Sequence, residues 1–195
     1  ARGEIPETPK ATDPIFRRVT NHVIGNNRVV VEAAEAKARQ LGFNIHLLTR
    51  SLHGEARETA RQFTDLARQI RSVGRPVPPP ACVIAGGETT VTVRGRGKGG
   101  RCQEFCLAGA LGLEGMENVL ILAAGSDGSD GPTDAAGAVA DGQTVRRGRE
   151  MGLDPLASLE ENDSYHFFST LGELVTTGPT NTNLQDLYLL LVGSP

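Results

Sequence analysis

The chain has no tryptophan, and only six phenylalanines and two tyrosines among 195 residues. Its core must therefore be built from Val, Leu, Ile and Ala, side chains that suit a sheet covered by helices. Cysteine is scarce too: Cys82, Cys102 and Cys106 cannot make a disulfide framework, which points to a reducing, cytoplasmic setting. Cys102 and Cys106 lie four apart on one expected helix, without the neighbours a zinc site needs. No apolar run approaches the roughly 20 residues of a membrane span. The opening Ala1-Arg2-Gly3-Glu4 lacks both an initiator methionine and the charged, apolar and small-residue regions of a signal peptide. Charge of one sign is missing as well. A formal net charge of −3 argues against nucleic acid or an anionic membrane as partner. The histidines His22, His46, His53 and His166 share no metal-ligand spacing.

What the chain does have is glycine, 24 residues of it, concentrated beside apolar runs. Residues 1–12 read as an extended polar connector with Pro6 and Pro9. Asp13-Pro14 is a helix start, Asp at the N-cap and Pro at the first turn, for a short helix ending near Gly25. Asn26 or Asn27 opens a second helix closed by Gly42. Phe43 to Leu48 alternates as a strand. Glu55 to Val73 is the clearest helix, with Ala56, Ala60, Phe63, Leu66, Ala67 and Ile70 on one face, and Gly74 ends it. After a proline-rich connector, Cys82–Ala85 reads as a buried strand, Thr89–Arg94 as a second strand and Cys102–Leu113 as a helix. Val119–Ala124 is a continuous apolar run, read as a buried parallel strand. Short helices follow over 142–152, 154–159 and 163–171. Leu174–Thr176 and Leu187–Val192 are the last strands. The alternation predicts an α/β fold, a mostly parallel or mixed sheet with helices on both faces. Residues 13–80 would supply linking helices and a strand, 81–195 the main α/β unit, and 13–195 one compact body.

Four polar loops border these runs: Gly86–Thr90, Gly95–Glu104, Gly125–Asp134 and Thr176–Asn183. In open α/β sheets ligands bind beyond the carboxyl ends of strands, so convergence of these loops would assemble carboxylates, cations and backbone N–H groups suited to a phosphorylated ligand with a metal. The glycine loop with Gly97, Lys98, Gly99 and Gly100 is the natural anion site, since it lets backbone approach closely and opens a helix. Arg101 stands at that helix start, where a guanidinium can fork onto phosphate or carboxylate. Lys98 and Arg96 are either further anion contacts or solvated. Glu88, following a strand and two glycines, is a ligand or arginine partner or else a turn acid. Asp127 is the first carboxylate beyond its strand and the best candidate for metal ligation or for accepting a hydroxyl proton, whereas Asp130 and Asp134 read as caps that hold the loop. Asn181 and Asn183 either bond a ligand or shape their loop. Gly95, Gly97 and Gly100 also spell the dinucleotide fingerprint, but the acid expected about 20 residues later is missing. A Walker loop is excluded because Gly99 follows Lys98.

Taken together, GGETTVTV at Gly86–Val93, GKGGRCQE at Gly97–Glu104, AAGSDGSDGPTDAAGAV at Ala123–Val139 and TGPTNTNLQDL around Gly178 resemble the carboxyl-terminal part of the glycerate 2-kinase (MOFRL) family. PETPK and IGNNRVVVEAA upstream fit as well. The resemblance implies ATP- and Mg²⁺-dependent phosphorylation of D-glycerate to 2-phosphoglycerate, in a cleft between two α/β domains. It carries Glu88, Arg101, Asp127 and Asn183 over as site residues and makes 81–195 the MOFRL-type domain. It also implies a partner, an N-terminal domain of the same protein that supplies a lysine and precedes residues 1–12. Two positions depart from the family pattern: Cys102, where Asn normally follows the Arg, and Asn181, where Gly is usual. The rival expectation is an NAD(P)-dependent hydroxypyruvate reductase using the Gly95–Gly100 fingerprint.

Overall fold

A computed structural model describes residues 7–194; the first six residues of the expected connector lie outside them. A 3₁₀ turn at Pro14–Arg18 precedes helix α1 (Asn27–Gln40), strand β1 (Asn44–Leu52), helix α2 (Ala56–Val73) and strand β2 (Ala81–Gly87). Helix α3 (Arg101–Leu113), strands β3 (Val119–Gly125) and β4 (Gly137–Asp141), and helices α4 (Thr144–Glu150), α5 (Pro155–Glu160) and α6 (Ser164–Leu171) follow. Strands β5 (Leu174–Val175) and β6 (Asp186–Val192) complete the fold.

The six strands form one sheet in the order β1-β2-β6-β3-β4-β5. Only β1 and β2 pair in parallel; β6 runs antiparallel to both β2 and β3, and β4 antiparallel to β3 and β5. The sheet is therefore mixed, and β3 is not the parallel-paired strand expected. Its apolar run reports two covered faces and says nothing of a neighbour's direction. Because β6 is inserted between them, β2 and β3 still point the same way. The carboxyl ends of β1, β2 and β3 thus share one sheet end with the start of β6.

Helices cover both faces. Helix α1 packs Val31 and Ala38 over Cys82 and Ile84, with Ile45, Leu47, Leu187, Leu189 and Leu191 around them. The opposite face carries the larger core, with Phe63 of α2, Phe105 of α3, Ile121, Tyr188 and Leu190 fully buried. Strand β6 reads the alternation of a two-faced strand, Leu187, Leu189 and Leu191 toward α1 and Tyr188, Leu190 and Val192 toward α2 and α3. Helix α2 follows its apolar stripe and stops at Gly74, whose left-handed φ of 65° returns its N–H to the Ile70 carbonyl.

Two further expectations need correction, and one strand was not foreseen. Asp13 does cap the first turn, accepting from the Ile15 N–H at 2.9 Å, but the turn ends at Arg18 rather than near Gly25. None of its residues is buried, so no packing sustains a longer helix across the β-branched stretch that follows. Thr89–Arg94 is no strand. Apart from a single bridge between Thr90 and Glu55 it finds no partner strand, and Thr92 instead donates its N–H and hydroxyl to the Glu55 carboxylate at 3.2 and 2.7 Å. Strand β4 was hidden because its five residues sit at the tail of the acidic loop without a turn signal between them.

Candidate functional site

The shared sheet end gathers most of the residues singled out from the sequence. At its centre is Asp186, the first residue of β6. It faces Gly87 on β2 and Gly125 on β3, so a buried carboxylate stands between two strand neighbours without side chains. Asp186 accepts from Arg101 Nε at 2.6 Å and from Arg101 Nη2 at 2.9 Å, a bidentate pair. Tyr188 donates its hydroxyl to the same carboxylate at 3.0 Å, and Thr89 closes the chain through its N–H and hydroxyl on the Tyr188 oxygen. The Asp186 bond holds Arg101 well above the ordinary arginine value, so the guanidinium stays cationic throughout the working pH range.

Arg101 is the first residue of α3, and its remaining Nη1 lies 3.4 Å from Glu88 Oε1. Glu88, just past β2, is half exposed. Asp127, just past β3, is partly buried, and its Oδ1 accepts from the Ser129 N–H at 3.0 Å. A Cβ at Gly125 would sit 3.1 Å from Asp127 Oδ1 and 3.5 Å from Asp186 Oδ1, which places both carboxylates over that glycine. Glu88 and Asp186 therefore meet at Arg101, and Asp127 shares the sheet end with them through Gly125. Asn183 is exposed; its Oδ1 accepts from the Gln185 N–H at 3.2 Å, and no hydrogen bond ties it to Glu88, Arg101 or Asp127 among the described residues. Its loop is nevertheless pinned there, because Thr180 donates its N–H to the Asp127 carbonyl and Leu184 donates to the Ser126 hydroxyl.

The glycine loop is built differently from a free anion cradle. A Cβ at Gly95 would meet the Glu161 backbone at 2.2 Å, one at Gly97 Asp163 Cβ at 2.4 Å, one at Gly99 Ser164 Oγ at 2.3 Å and one at Gly100 the Asp130 carboxyl carbon at 2.3 Å. Gly95, Gly97 and Gly99 let the loop lie against the segment joining α5 to α6, and Gly100 lets it approach Asp130. Many of the loop's N–H groups are already used: Arg94 and Gly95 donate to Asn162 Oδ1, Gly97 to the Glu161 carbonyl and Lys98 to Asp163 Oδ1. At the start of α3, the Cys102 and Gln103 N–H groups donate to Asp130 at 3.1 and 2.9 Å. Asp130 is thus the cap expected of it, for a helix distant in sequence. Burial pushes its carboxyl up, against the pull of those N–H groups. Lys98 places Nζ 4.1 Å over the Tyr165 ring, and Tyr165 donates to Asp134 at 2.7 Å.

A cavity of about 440 Å³ lies beside Arg101, walled by Thr90, Val91, Val93, Pro132 and the backbone of Gly97, Gly99 and Gly100. A larger one, about 540 Å³, lies at the other end of the sheet between Phe43, Met116 and Asp141. It holds no cationic side chain, so it does not fit the chemistry gathered around Arg101.

Sequence reasoning missed Asp186 and Tyr188, and with them Glu104 and Asn162. The available signal for Asp186 was a lone acid opening the last apolar run. The two departures have structural accounts. Asn181 adopts φ 58°, in the left-handed region where Asn is the usual substitute for Gly. Cys102 is buried, and its backbone N–H, not its side chain, meets Asp130.

No group of three or more His, Cys, Asp or Glu that could hold a metal occurs among the described residues. Nor is any helix among the described residues long and apolar enough to cross a membrane.

The fold and site define a mixed α/β unit whose polar loops converge at one sheet end around a fixed arginine. Residues 81–186 match the MOFRL family, and the chain belongs to it. A Thermotoga maritima protein named D-glycerate 2-kinase is 44% identical over 191 residues, covering 98% of this chain and 45% of the relative. A crystal structure of glycerate kinase from Thermotoga maritima superposes with TM-score 0.86 at 46% identity, covering 88% of this chain and 41% of that one. An Agrobacterium vitis protein, 40% identical over 189 residues and covered over 42% of its length, carries a provisional hydroxypyruvate reductase name. The chain spans less than half the length of these relatives.

Proposed function

We propose that this chain is the MOFRL-type part, residues 81–195 with the helices and strand of 13–80, of an ATP-dependent glycerate kinase. Its reaction is transfer of the ATP γ-phosphoryl group to the 2-hydroxyl of D-glycerate. The observation that carries this reading is the bidentate lock of Arg101 on Asp186, beside Glu88 and Asp127. It leaves a permanently charged guanidinium edge at the sheet end where α/β folds bind ligands.

Phosphoryl transfer asks little covalent chemistry of the protein; positioning and charge stabilisation dominate. Arg101 binds the substrate carboxylate or the transferred phosphate. The glycerate hydroxyl oxygen bonds to the γ-phosphorus as the bond to the ADP oxygen breaks, and Asp127 takes the hydroxyl proton. Glu88 and Asn183 orient substrate and Arg101. Gly97, Gly99 and Gly100 line the cavity and with Lys98 form the phosphate-binding stretch of this reading, with the backbone N–H groups of Gly99, Gly100 and Arg101 left for a ligand. Mg²⁺ would be held mainly by substrate phosphates and would neutralise their charge, with Asp127 as the protein carboxylate available to it in place of its role as proton acceptor. The second wall, with its lysine, belongs to an N-terminal domain of the whole protein. We read this chain alone as inactive and the whole protein as cytoplasmic, in keeping with three free, buried cysteines.

The reductase alternative lacks a comparable footing. The segment Glu88–Gly100 separates β2 from α3, so the glycine fingerprint does not occupy a strand-to-helix turn, and the next strand is not a parallel neighbour. A coupled assay on the full-length gene product with ATP and D-glycerate, L-glycerate or hydroxypyruvate tests the reading. ADP release with D-glycerate is expected; NADH oxidation with hydroxypyruvate and no kinase turnover would replace it by the reductase.

A further inference from the structure

Arginine has five N–H donors in a planar fork. In this site Asp186 engages the side edge, Nε and Nη2, at 2.6 and 2.9 Å. What remains is the end edge, Nη1 with the outer hydrogen of Nη2, which points toward the half-exposed Glu88. Only one face of the guanidinium is therefore offered to a ligand anion, and Asp186 decides which.

Asp186 is itself held from three sides. It is fully buried and its flanking strand partners are Gly87 and Gly125. Tyr188, two residues on and on the same face of β6, donates to the oxygen that also receives Nε, and Thr89 braces the Tyr188 hydroxyl at 3.0 Å. From the other face, Asn27 at the start of α1 donates to the Asp186 carbonyl at 3.2 Å and to the Leu184 carbonyl at 2.9 Å. A buried carboxylate carries a desolvation cost that must be offset by good pairing geometry. Here the cost is offset by the bidentate pair, whose geometric product is the orientation of Arg101.

We propose that Asp186 is the positioning residue of the phosphoryl-transfer site: the Asp186–Tyr188–Thr89 chain holds Arg101 so that its end edge alone meets the anionic substrate. This rests on the kinase reading of the site. Asp186 touches no reacting atom; it acts through Arg101. With its carboxylate neutralised, Arg101 keeps its charge but can rotate, and misplacement of a catalytic group by about 1 Å costs on the order of 100-fold in rate.

The test is a double-mutant cycle in the full-length protein, with Asp186→Asn, Arg101→Lys and the double variant, read as kcat and KM. Asp186→Asn is expected to lower kcat by about 100-fold while KM for D-glycerate stays within about threefold, since orientation rather than charge is lost. The double variant is expected to be no worse than Arg101→Lys alone, because Asp186 has nothing left to orient. Losses that multiply in the double variant, or an Asp186→Asn enzyme with wild-type kcat, would overturn the proposal. Should Asp186→Asn fail to fold, Tyr188→Phe takes its place in the same cycle, with a smaller loss that must likewise vanish on the Arg101→Lys background. Exchange of the Arg101 Nε–H with solvent gives a readout independent of turnover. It should be at least tenfold faster in the Asp186→Asn or Tyr188→Phe variant, and unchanged exchange overturns the positioning role. Wild-type protein that fails to phosphorylate glycerate yet loses Nε–H protection in these variants would sink the kinase reading alone.

Discussion

Glu104 on α3 and Asn162 in the turn between α5 and α6 meet in the interior, Asn162 Nδ2 donating to Glu104 Oε2 at 2.8 Å. The other Glu104 oxygen accepts from Arg57 Nε at 2.6 Å, while Asn162 Oδ1 accepts the N–H groups of Arg94 and Gly95. One buried carboxylate thus ties α2, α3 and the glycine loop through a single asparagine.

That relationship sets the first prediction. Glu104→Ala leaves the Arg57 guanidinium, about one-quarter exposed, without its partner, and is expected to destabilise by about 3–5 kcal/mol. Asn162 adopts a left-handed φ of 54°. Asn162→Gly keeps that conformation and loses only the hydrogen bonds, so it should cost less than Asn162→Ala, which adds backbone strain of about 1 kcal/mol. Urea unfolding of the three variants orders them; equal losses for Gly and Ala would show that the turn relaxes.

The second concerns turnover in the full-length protein. Removing a phosphate-clamping arginine costs about 10³–10⁵ in kcat, and that is the loss expected for Arg101→Ala. Asp127→Ala, which removes a proton acceptor, is expected to cost about 10²–10⁴. Asn183→Ala should cost far less, because its side chain is exposed and bonded within its own turn. Steady-state kinetics with D-glycerate and ATP measures all three, and wild-type kcat in both Arg101→Ala and Asp127→Ala would remove these residues from the mechanism.

The three carboxylates and one arginine at issue were unequally legible. Arg101, Glu88 and Asp127 stood out because each borders an apolar run or opens a helix, and strand ends are where α/β sheets place ligands. Asp186 borders a run as well, but at its amino end, where parallel-sheet logic does not look; only the antiparallel insertion of β6 brings that end to the site. Strands β2, β3 and β6 were legible from apolar runs, whereas their pairing was not, since such a run reads the same in either direction. The glycine loop was found as a motif and read as an anion site, but its packing role was not legible. Gly95 and Gly97 accommodate Glu161 and Asp163, in a turn well beyond them in sequence, and Gly100 accommodates Asp130 of the acidic loop, contacts that only the folded chain brings together.

A third prediction follows from Asp141 at the end of β4. Burial pushes its carboxyl up, but the Gln143 N–H at 2.7 Å and Arg147 Nη2 at 2.9 Å outweigh that and hold it below the usual carboxylate range. An acid with a lowered folded value stabilises the fold above its unfolded pKa, and that contribution fades as pH falls through the lower folded value. Asp141 is 39% exposed, so solvent screens the pair and the loss on Asp141→Asn should be about 1 kcal/mol or less at pH 7. The difference in unfolding free energy between wild type and Asp141→Asn should shrink once pH drops below about 3.9. A difference that is constant down to pH 2 would mean the ion pair does not set it.

The last prediction uses the cysteines as reporters of how the two faces of the sheet open. All three thiols are free and buried. Burial pushes the Cys82 thiol up to about 11 and holds those of Cys102 and Cys106 well above the ordinary thiol value too. A thiolate is the reactive form, so the native chain at pH 8 should react with a disulfide reagent at none of them, and at all three once unfolded. Their positions differ, however. Cys82 lies beneath α1 in a small cluster with Val31, Ala38 and Ile84, whereas Cys102 and Cys106 sit in the main core with Phe63 and Phe105. Regions with few buried apolar contacts open at lower free energy than the core. In denaturant well below the unfolding midpoint, Cys82 should therefore be modified first, as α1 lifts from the sheet while α2 and α3 stay docked. Mass-resolved labelling that modified all three at one rate would mean that α1 unfolds only with the whole, and that the small cluster under it is as firmly held as the large one.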